Sequence, residues 1–210
     1  EMGIDSPKPP KNMGYLLRIV KPKIAVLTNI DYEHSVYFEP YVKNKKRFEE
    51  EVFRLISKEA PSLLESLSNS SIAVLNLDDP EIFKTSKDLK TKKITVSSED
   101  TDSDFFIEKV QTTKDNFVIE FVNRKKKFVL KIGQPLPLYF AHSFVLAIAV
   151  CSALGIEFQD AIKSLENKFL LPPGRASILT GVKKTTIIDS SYNSSFKAAS
   201  GMLDLLQTLG

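Results

Sequence analysis

Two stretches of this chain end an apolar run in polar groups able to meet a ligand. The first is IIDSSYNSS, Ile187 to Ser195, which opens twelve residues after the last residue of PPGR, Pro172 to Arg175. The second is KPKIAVLTNIDYEH, Lys21 to His34, where Thr28, Asn29, Asp31, Glu33 and His34 follow the apolar run Ile24 to Leu27. Open α/β sheets bind ligands outside the carboxyl ends of their strands. A histidine and carboxylates gathered there suit a cation or a phosphate. An acid, hydroxyls, a phenol and an amide at the end of a buried strand suit a nucleotide. Read alone, Asp189 to Ser195 also fits a strand running into a helix cap, because Ser, Asp and Asn favour caps for local reasons.

The elements that must position these groups follow from periodicity. The proline-rich DSPKPPKN, residues 5 to 12, reads as a loop. A short helix over Tyr15 to Val20 leads into a strand at Ile24 to Ile30. Over Tyr41 to Glu59, the residues Phe48, Val52, Leu55 and Ile56 make one apolar helical face, which Pro61 stops or restarts and Leu63, Leu64 and Leu67 prolong. Ile72 to Leu77 is a second buried strand, closed by the turn Asp78-Asp79-Pro80, and Lys93 to Val96 is a third. Strand, helix, strand spacing implies parallel crossovers.

From Asp104 the pattern changes. FFIEKVQ, NFVIEFV and KFVLKI read as antiparallel strands separated by turns, with the basic run Arg124 to Lys127 on a solvated hairpin. A buried helix over His142 to Leu154 stops at Gly155, a place for a left-handed cap. A helix over Gln159 to Phe169 leads to a hinge at Leu171 to Gly174. Beyond it come a strand at Thr185 to Asp189 and a helix at Phe196 to Leu209. The fold class is therefore α/β, a mostly parallel sheet flanked by helices with added antiparallel strands. The hinge is the expected domain boundary, giving residues 1–171 and 172–210; the family resemblance set out below implies that the second is the start of a Rossmann-like domain.

Composition bounds the function. The chain has 210 residues, 42% of them hydrophobic, and 29 Lys and Arg against 26 Asp and Glu, a net charge of +3. That balance describes a solvated surface and argues against a nucleic-acid partner. Its single cysteine, Cys151, sits in the apolar VLAIAVCSAL and reads as a small core hydrophobe. It cannot form an internal disulfide. No apolar run approaches the roughly 20 residues needed to span a bilayer. A reducing, cytoplasmic setting is expected.

In order along the chain, EMG at Glu1 to Gly3, AVLTNI with His34, SKEA at Ser57 to Ala60, AVLNLDDP at Ala73 to Pro80, AHSFVLAIAV at Ala141 to Val150, PPGR and IIDSSYNSS resemble the Mur ligase family. These are ATP-dependent amide-forming enzymes of peptidoglycan synthesis. The resemblance is strongest to the MurF branch, which adds D-alanyl-D-alanine to a UDP-N-acetylmuramoyl-tripeptide. Folylpolyglutamate synthase and cyanophycin synthetase share the outline but match DSSYN less closely. The resemblance implies a central ATPase domain over most of the chain, with ATP and Mg2+ as cofactors and an acyl phosphate as intermediate. It also implies that a glycine-rich phosphate loop and a substrate-recognition domain lie upstream, and the rest of the carboxyl-terminal domain downstream. On that reading the fragment alone has no ligase turnover.

Site residues carry over one by one. By resemblance Glu1 and His34 hold magnesium, Arg175 reaches nucleotide phosphate, Asp189 meets the ribose or a nearby phosphate, and Tyr192 and Asn193 line the nucleotide or amine site. An arginine suits phosphate because its fork stays charged and matches the oxygens. Ser190 replaces the second Asp of the family's DDSYN. The family also uses a carbamylated lysine, whose usual spacing from the histidine falls here on Phe48. Lys58, eighteen residues before Asn76, takes that role if helix has been inserted between His34 and Lys58. Lys45 and Lys46 are its rivals. His142 matches the histidine near the adenine, but Ser143 and Leu146 stand where the family has asparagines. His142 serves equally well as a simple helix-start residue.

Overall fold

Three short apolar strands, Ile24–Leu27 (β1), Ile72–Asn76 (β2) and Lys92–Ser97 (β3), pair in parallel and in chain order. In the computed structural model they belong to a first unit, which ends at Asp104; a second begins at Phe105. The structure describes residues 4–32, 34–192 and 195–210. Ala73, Val74 and Leu75 are wholly buried, so β2 is covered on both faces, as a central parallel strand must be. The register Ile24 to Ile72 and Val74 to Ile94 brings the carboxyl ends of β1 and β2 level.

Helices cover these strands. Met13–Ile19 (α1) precedes β1, and its N-cap Asn12 accepts the Tyr15 N–H. In the connection from β1 to β2 the helix expected from Tyr41 begins only at Phe48, and the break expected at Pro61 is present. Short 3-10 turns at Glu39–Tyr41 and Lys45–Arg47 come first, then Phe48–Ser57 (α2) and Glu59–Glu65 (α3). Pro61 is the reason for the break. It has no N–H, and its ring would strike the carbonyl of Ser57 if the helix ran through. Proline is tolerated in a first turn, so α3 restarts there. Met13, Leu63, Leu64, Leu75 and Ile82 form the centre of the core.

The Asp78-Asp79-Pro80 segment is more than a turn. It opens Pro80–Ser86 (α4), the crossover from β2 to β3. Asp79 is the N-cap and Pro80 occupies the first turn, where its missing N–H costs nothing.

In the second unit, Phe105–Thr112 (β4), Phe117–Asn123 (β5) and Lys126–Ile132 (β6) pair antiparallel where alternation placed them. Phe117, Ile119 and Phe121 point into the core while Val118, Glu120 and Val122 lie half-buried between them. Arg124 and Lys125 both have positive φ, 47° and 66°, which makes the basic run a tight two-residue hairpin turn. Beside it, Lys127 pairs with Glu108 at 2.8 Å. Phe140–Ala153 (α5) buries Phe144, Val145, Ile148 and Ala149, and Gly155 at φ 77° caps its end. Cys151 is a half-buried free thiol in that helix. Phe158–Lys168 (α6) follows, and its Glu166 accepts the Lys131 N–H at 3.0 Å.

The last elements are Ser177–Thr180 (β7), Thr186–Asp189 (β8) and Phe196–Leu209 (α7), the last with Ser195 as N-cap. β7 and β8 form a two-stranded antiparallel ribbon. The sequence suggested a buried strand at β8, but Ile187 is 47% exposed. Within the described residues β8 has one strand neighbour, β7, and Ile188 and Asp189 are only half-buried. The α/β class holds, with parallel strands and helical crossovers in the first unit and antiparallel strands in the second.

Candidate functional site

The carboxyl ends of the parallel strands are tied together by the NLDD segment. Asn76 donates its amide to the Thr28 carbonyl at 2.8 Å and accepts the Asp78 N–H at 3.1 Å. One oxygen of Asp79 accepts the Ile30 N–H at 2.8 Å, while the other caps α4 through Glu81 and Ile82 at 3.0 Å. Asp78 accepts the Ser98 N–H at 2.8 Å and the hydroxyls of Ser97 and Ser98. Each carboxylate is thereby occupied in holding the loop after β1 and the end of β3. These residues frame a site without being free to act in it.

His34 lies on the loop after β1, in the left-handed region at φ 61°. Its Nδ1 is 2.6 Å from Asp5 Oδ1, and Lys11 Nζ is 3.4 Å from the other oxygen. The hydrogen bond with His34 lowers the Asp5 pKa below the ordinary carboxylate value, the slight burial opposes it, and Lys11 adds to the lowering. Asp5 belongs to the loop read only as proline-rich, and no local signal tied it to a histidine 29 residues away. With Nδ1 committed to a carboxylate, Nε2 is the ring atom left for a cation, an arrangement that orients metal-binding histidines. Among the described residues no three His, Cys, Asp or Glu side chains gather as a metal cage. Glu1 lies outside the described residues.

Lys58 stands at the break between α2 and α3 and lines a groove of about 850 Å3 with Glu65, Glu81, Lys84 and Lys90. Among the described residues no ion pair joins it to His34 or Asp5. Its neighbour Glu59 turns inward, where Oε2 accepts the Met13 N–H at 2.7 Å. Burial raises the Glu59 pKa, and that hydrogen bond partly offsets the rise. Sequence reasoning passed over this residue. Lys45 and Lys46 sit in an exposed 3-10 turn capped by Asn44.

In the second unit the structure brings three of the chosen residues together. The Tyr192 N–H donates to the Gly174 carbonyl at 3.1 Å, and the Arg175 guanidinium carbon lies 4.4 Å from the Tyr192 ring centroid. Asp189 pairs with Ser177 across the β7–β8 ribbon, two residues from Arg175. It also accepts the Ser191 N–H at 3.0 Å, and hydrogen bonding from Ser191 lowers its pKa. An exposed guanidinium and an ionised carboxylate at one end of a ribbon fit a phosphate and a sugar hydroxyl respectively. Gly174 has φ 76°, and a Cβ there would stand 3.1 Å from the Tyr192 nitrogen. The close approach of the two segments therefore requires glycine. His142 is half-buried in the first turn of α5. Asn193 lies outside the described residues. Sequence reasoning missed Tyr139, the N-cap residue of α5, whose pKa is raised by burial and pulled back by the nearby Arg175 charge.

Residues 8–151 match the family model of the Mur ligase middle domain, and the chain belongs to the Mur ligase family. It is 26% identical over 209 residues to the UDP-N-acetylmuramoyl-tripeptide--D-alanyl-D-alanine ligase of Buchnera aphidicola subsp. Baizongia pistaciae, covering 95% of this chain and 40% of that protein. The chain thus spans about 40% of the length of that curated relative. Among solved structures it resembles MurF from Acinetobacter baumannii, with a TM-score of 0.77 at 16% identity over 94% of this chain and 40% of that one. MurF from Thermotoga maritima in complex with ADP gives 0.73 at 19% identity, over 93% and 41%. An S73A mutant of L. casei FPGS gives 0.67 at 14% identity, over 100% and 47%. No helix among the described residues is long and apolar enough to cross a membrane.

Proposed function

We propose that this chain is the central part of a cytoplasmic, ATP-dependent amide ligase of the MurF type, joining D-alanyl-D-alanine to a UDP-N-acetylmuramoyl-peptide in peptidoglycan synthesis. The observation that carries the reading is the MurF-like DSSYN segment meeting PPGR through Gly174, Arg175 and Tyr192, together with a match to a tripeptide–dipeptide ligase along nearly the whole chain. In this reading ATP supplies the phosphoryl group that activates a carboxylate, and magnesium offsets phosphate charge. Arg175 holds phosphate, Asp189 takes a nucleotide hydroxyl, and Tyr192 and Asn193 line the nucleotide or amine. Glu1 and His34 hold the cation, with Asp5 fixing the imidazole. Lys58 is the candidate for carbamylation, and His142 sits by the base. Residues 1–171 make the central domain and 172–210 begin the next.

A sibling amide ligase is the second reading, supported by the likeness to a folylpolyglutamate synthase over the full chain. The test is magnesium-dependent ADP release by the complete polypeptide with candidate acceptors. Release that needs both a UDP-N-acetylmuramoyl-tripeptide and D-alanyl-D-alanine supports the first reading. Release with a folate and glutamate supports the second. No ADP release with any acceptor, in a polypeptide without an upstream phosphate loop, overturns both in favour of a binding module on a ligase fold.

A further inference from the structure

We propose that Tyr139 and Gly201 form a latch that holds helix α7 against the segment leading into α5, and that opening it releases α7. This inference goes beyond the ligase reading, since it stands on packing alone.

Gly201 lies inside a fourteen-residue helix, where glycine is a poor choice for helix stability. Its reason is spatial. A Cβ at Gly201 would stand 2.7 Å from Tyr139 Cε1 and 2.8 Å from Cδ1, closer than real Cβ atoms come, so with the ring in its present place position 201 must be bare backbone and any larger residue has to move the ring or the helix. Leu205 is the helix's one wholly buried large side chain among the described residues, while Phe196 is 90% exposed and Leu203 and Leu206 also face outward. Beside the contact lies a cavity of about 320 Å3, lined by Leu138, Phe196, Lys197 and Asp204, so the interface is only partly filled. Elements with few buried apolar contacts open at low free energy, so loss of one close contact is felt in the docking of such a helix.

Latch and site share a neighbour. Arg175 lies close enough for its charge to act on the Tyr139 phenol, and it also lies over Tyr192. Positive φ at Gly174 and Ala176, beside Pro172 and Pro173, brackets it with a sharply bent backbone.

Helix propensity and the latch predict opposite signs for one substitution. Gly201→Ala favours the isolated helix, yet it drives a methyl into the Tyr139 ring. Hydrogen exchange on the complete polypeptide is expected to show α7 amides exchanging about tenfold faster in Gly201→Ala, with β4, β5 and β6 unchanged. In a Tyr139→Ala background the same substitution is expected to slow exchange, because the obstacle is gone. Unchanged or slower α7 exchange for Gly201→Ala in the native background overturns the latch, as does equal acceleration in both backgrounds. Should Gly201→Ala fail to fold, Tyr139→Ala and Tyr139→Phe decide. Selective acceleration of α7 by alanine, with phenylalanine behaving as native, supports the latch, and any other pattern overturns it.

Discussion

Arg175 lies over the ring of Tyr192, its guanidinium carbon 4.4 Å from the centroid, while the residue before it accepts the Tyr192 backbone N–H. The ring thus covers one face of the guanidinium, and in the proposed function its edge donors meet phosphate. In the complete polypeptide, Arg175→Ala is expected to lower ATP-dependent turnover at least about tenfold, with Arg175→Lys restoring only part because ammonium lacks the planar fork. Tyr192→Ala should cost about 0.5–1 kcal/mol in nucleotide affinity, the value of an exposed cation–π contact, and Tyr192→Phe should be close to native. Nucleotide titrations check both. Unchanged turnover in Arg175→Ala would remove the phosphate role.

Gly174→Ala should destabilise the protein by about 1–2 kcal/mol from left-handed strain alone, and more from the close approach of a Cβ to the Tyr192 nitrogen. Thermal unfolding measures the loss. Gly155 offers the control, since it also has positive φ but nothing stands within 4 Å of its Cβ position. Gly155→Ala should show the strain without the crowding.

Asp79→Ala removes a helix cap and the bond to the Ile30 N–H. The cap is worth roughly 0.5–2 kcal/mol and the second bond about 1 kcal/mol. Asp79→Asn should retain most of the cap. Chemical denaturation separates the variants, and a native midpoint for Asp79→Ala would contradict the latching role given to NLDD.

Two carboxylates should shape the pH dependence in opposite directions. Asp5 has a lowered folded pKa, so it contributes stability above its unfolded pKa, and that contribution fades as pH falls through the folded value. Glu59 has a raised folded pKa, so between its unfolded and folded values the folded state holds the extra proton. Its effect is a loss of stability as pH rises through that window. Asp5→Asn should flatten the acid limb, and Glu59→Gln, which still accepts the Met13 N–H, should remove the loss on the alkaline side. Melting temperatures across mildly acidic pH decide the signs.

Local features were legible wherever a short stretch dictates its own geometry. Gly155 as a left-handed cap, the hairpin at Arg124 and Lys125, and the span of α7 all follow from neighbours in sequence. Helix α4 was also there to be read, since Asp79 followed by Pro80 is an N-cap and first-turn signature. The partner of His34 was not. Asp5 meets it through the path of a proline-rich loop, which no periodicity describes. The exposure of β8 was hidden too, because an apolar run looks the same whether or not a second layer covers it.

By itself the sequence determined the α/β class, the resemblance of its ordered motifs to one ligase family, and the residue types a nucleotide site would need. These depend on local pattern and on side-chain chemistry, both of which a linear chain displays. Tertiary structure alone decided that Asp5 orients His34, that Asn76 and Asp79 tie the strand ends, and that Arg175 shares Tyr192. It also decided that Gly201 admits Tyr139. Each of these pairs residues far apart in sequence through close contact, and such contacts exist only once the backbone has folded.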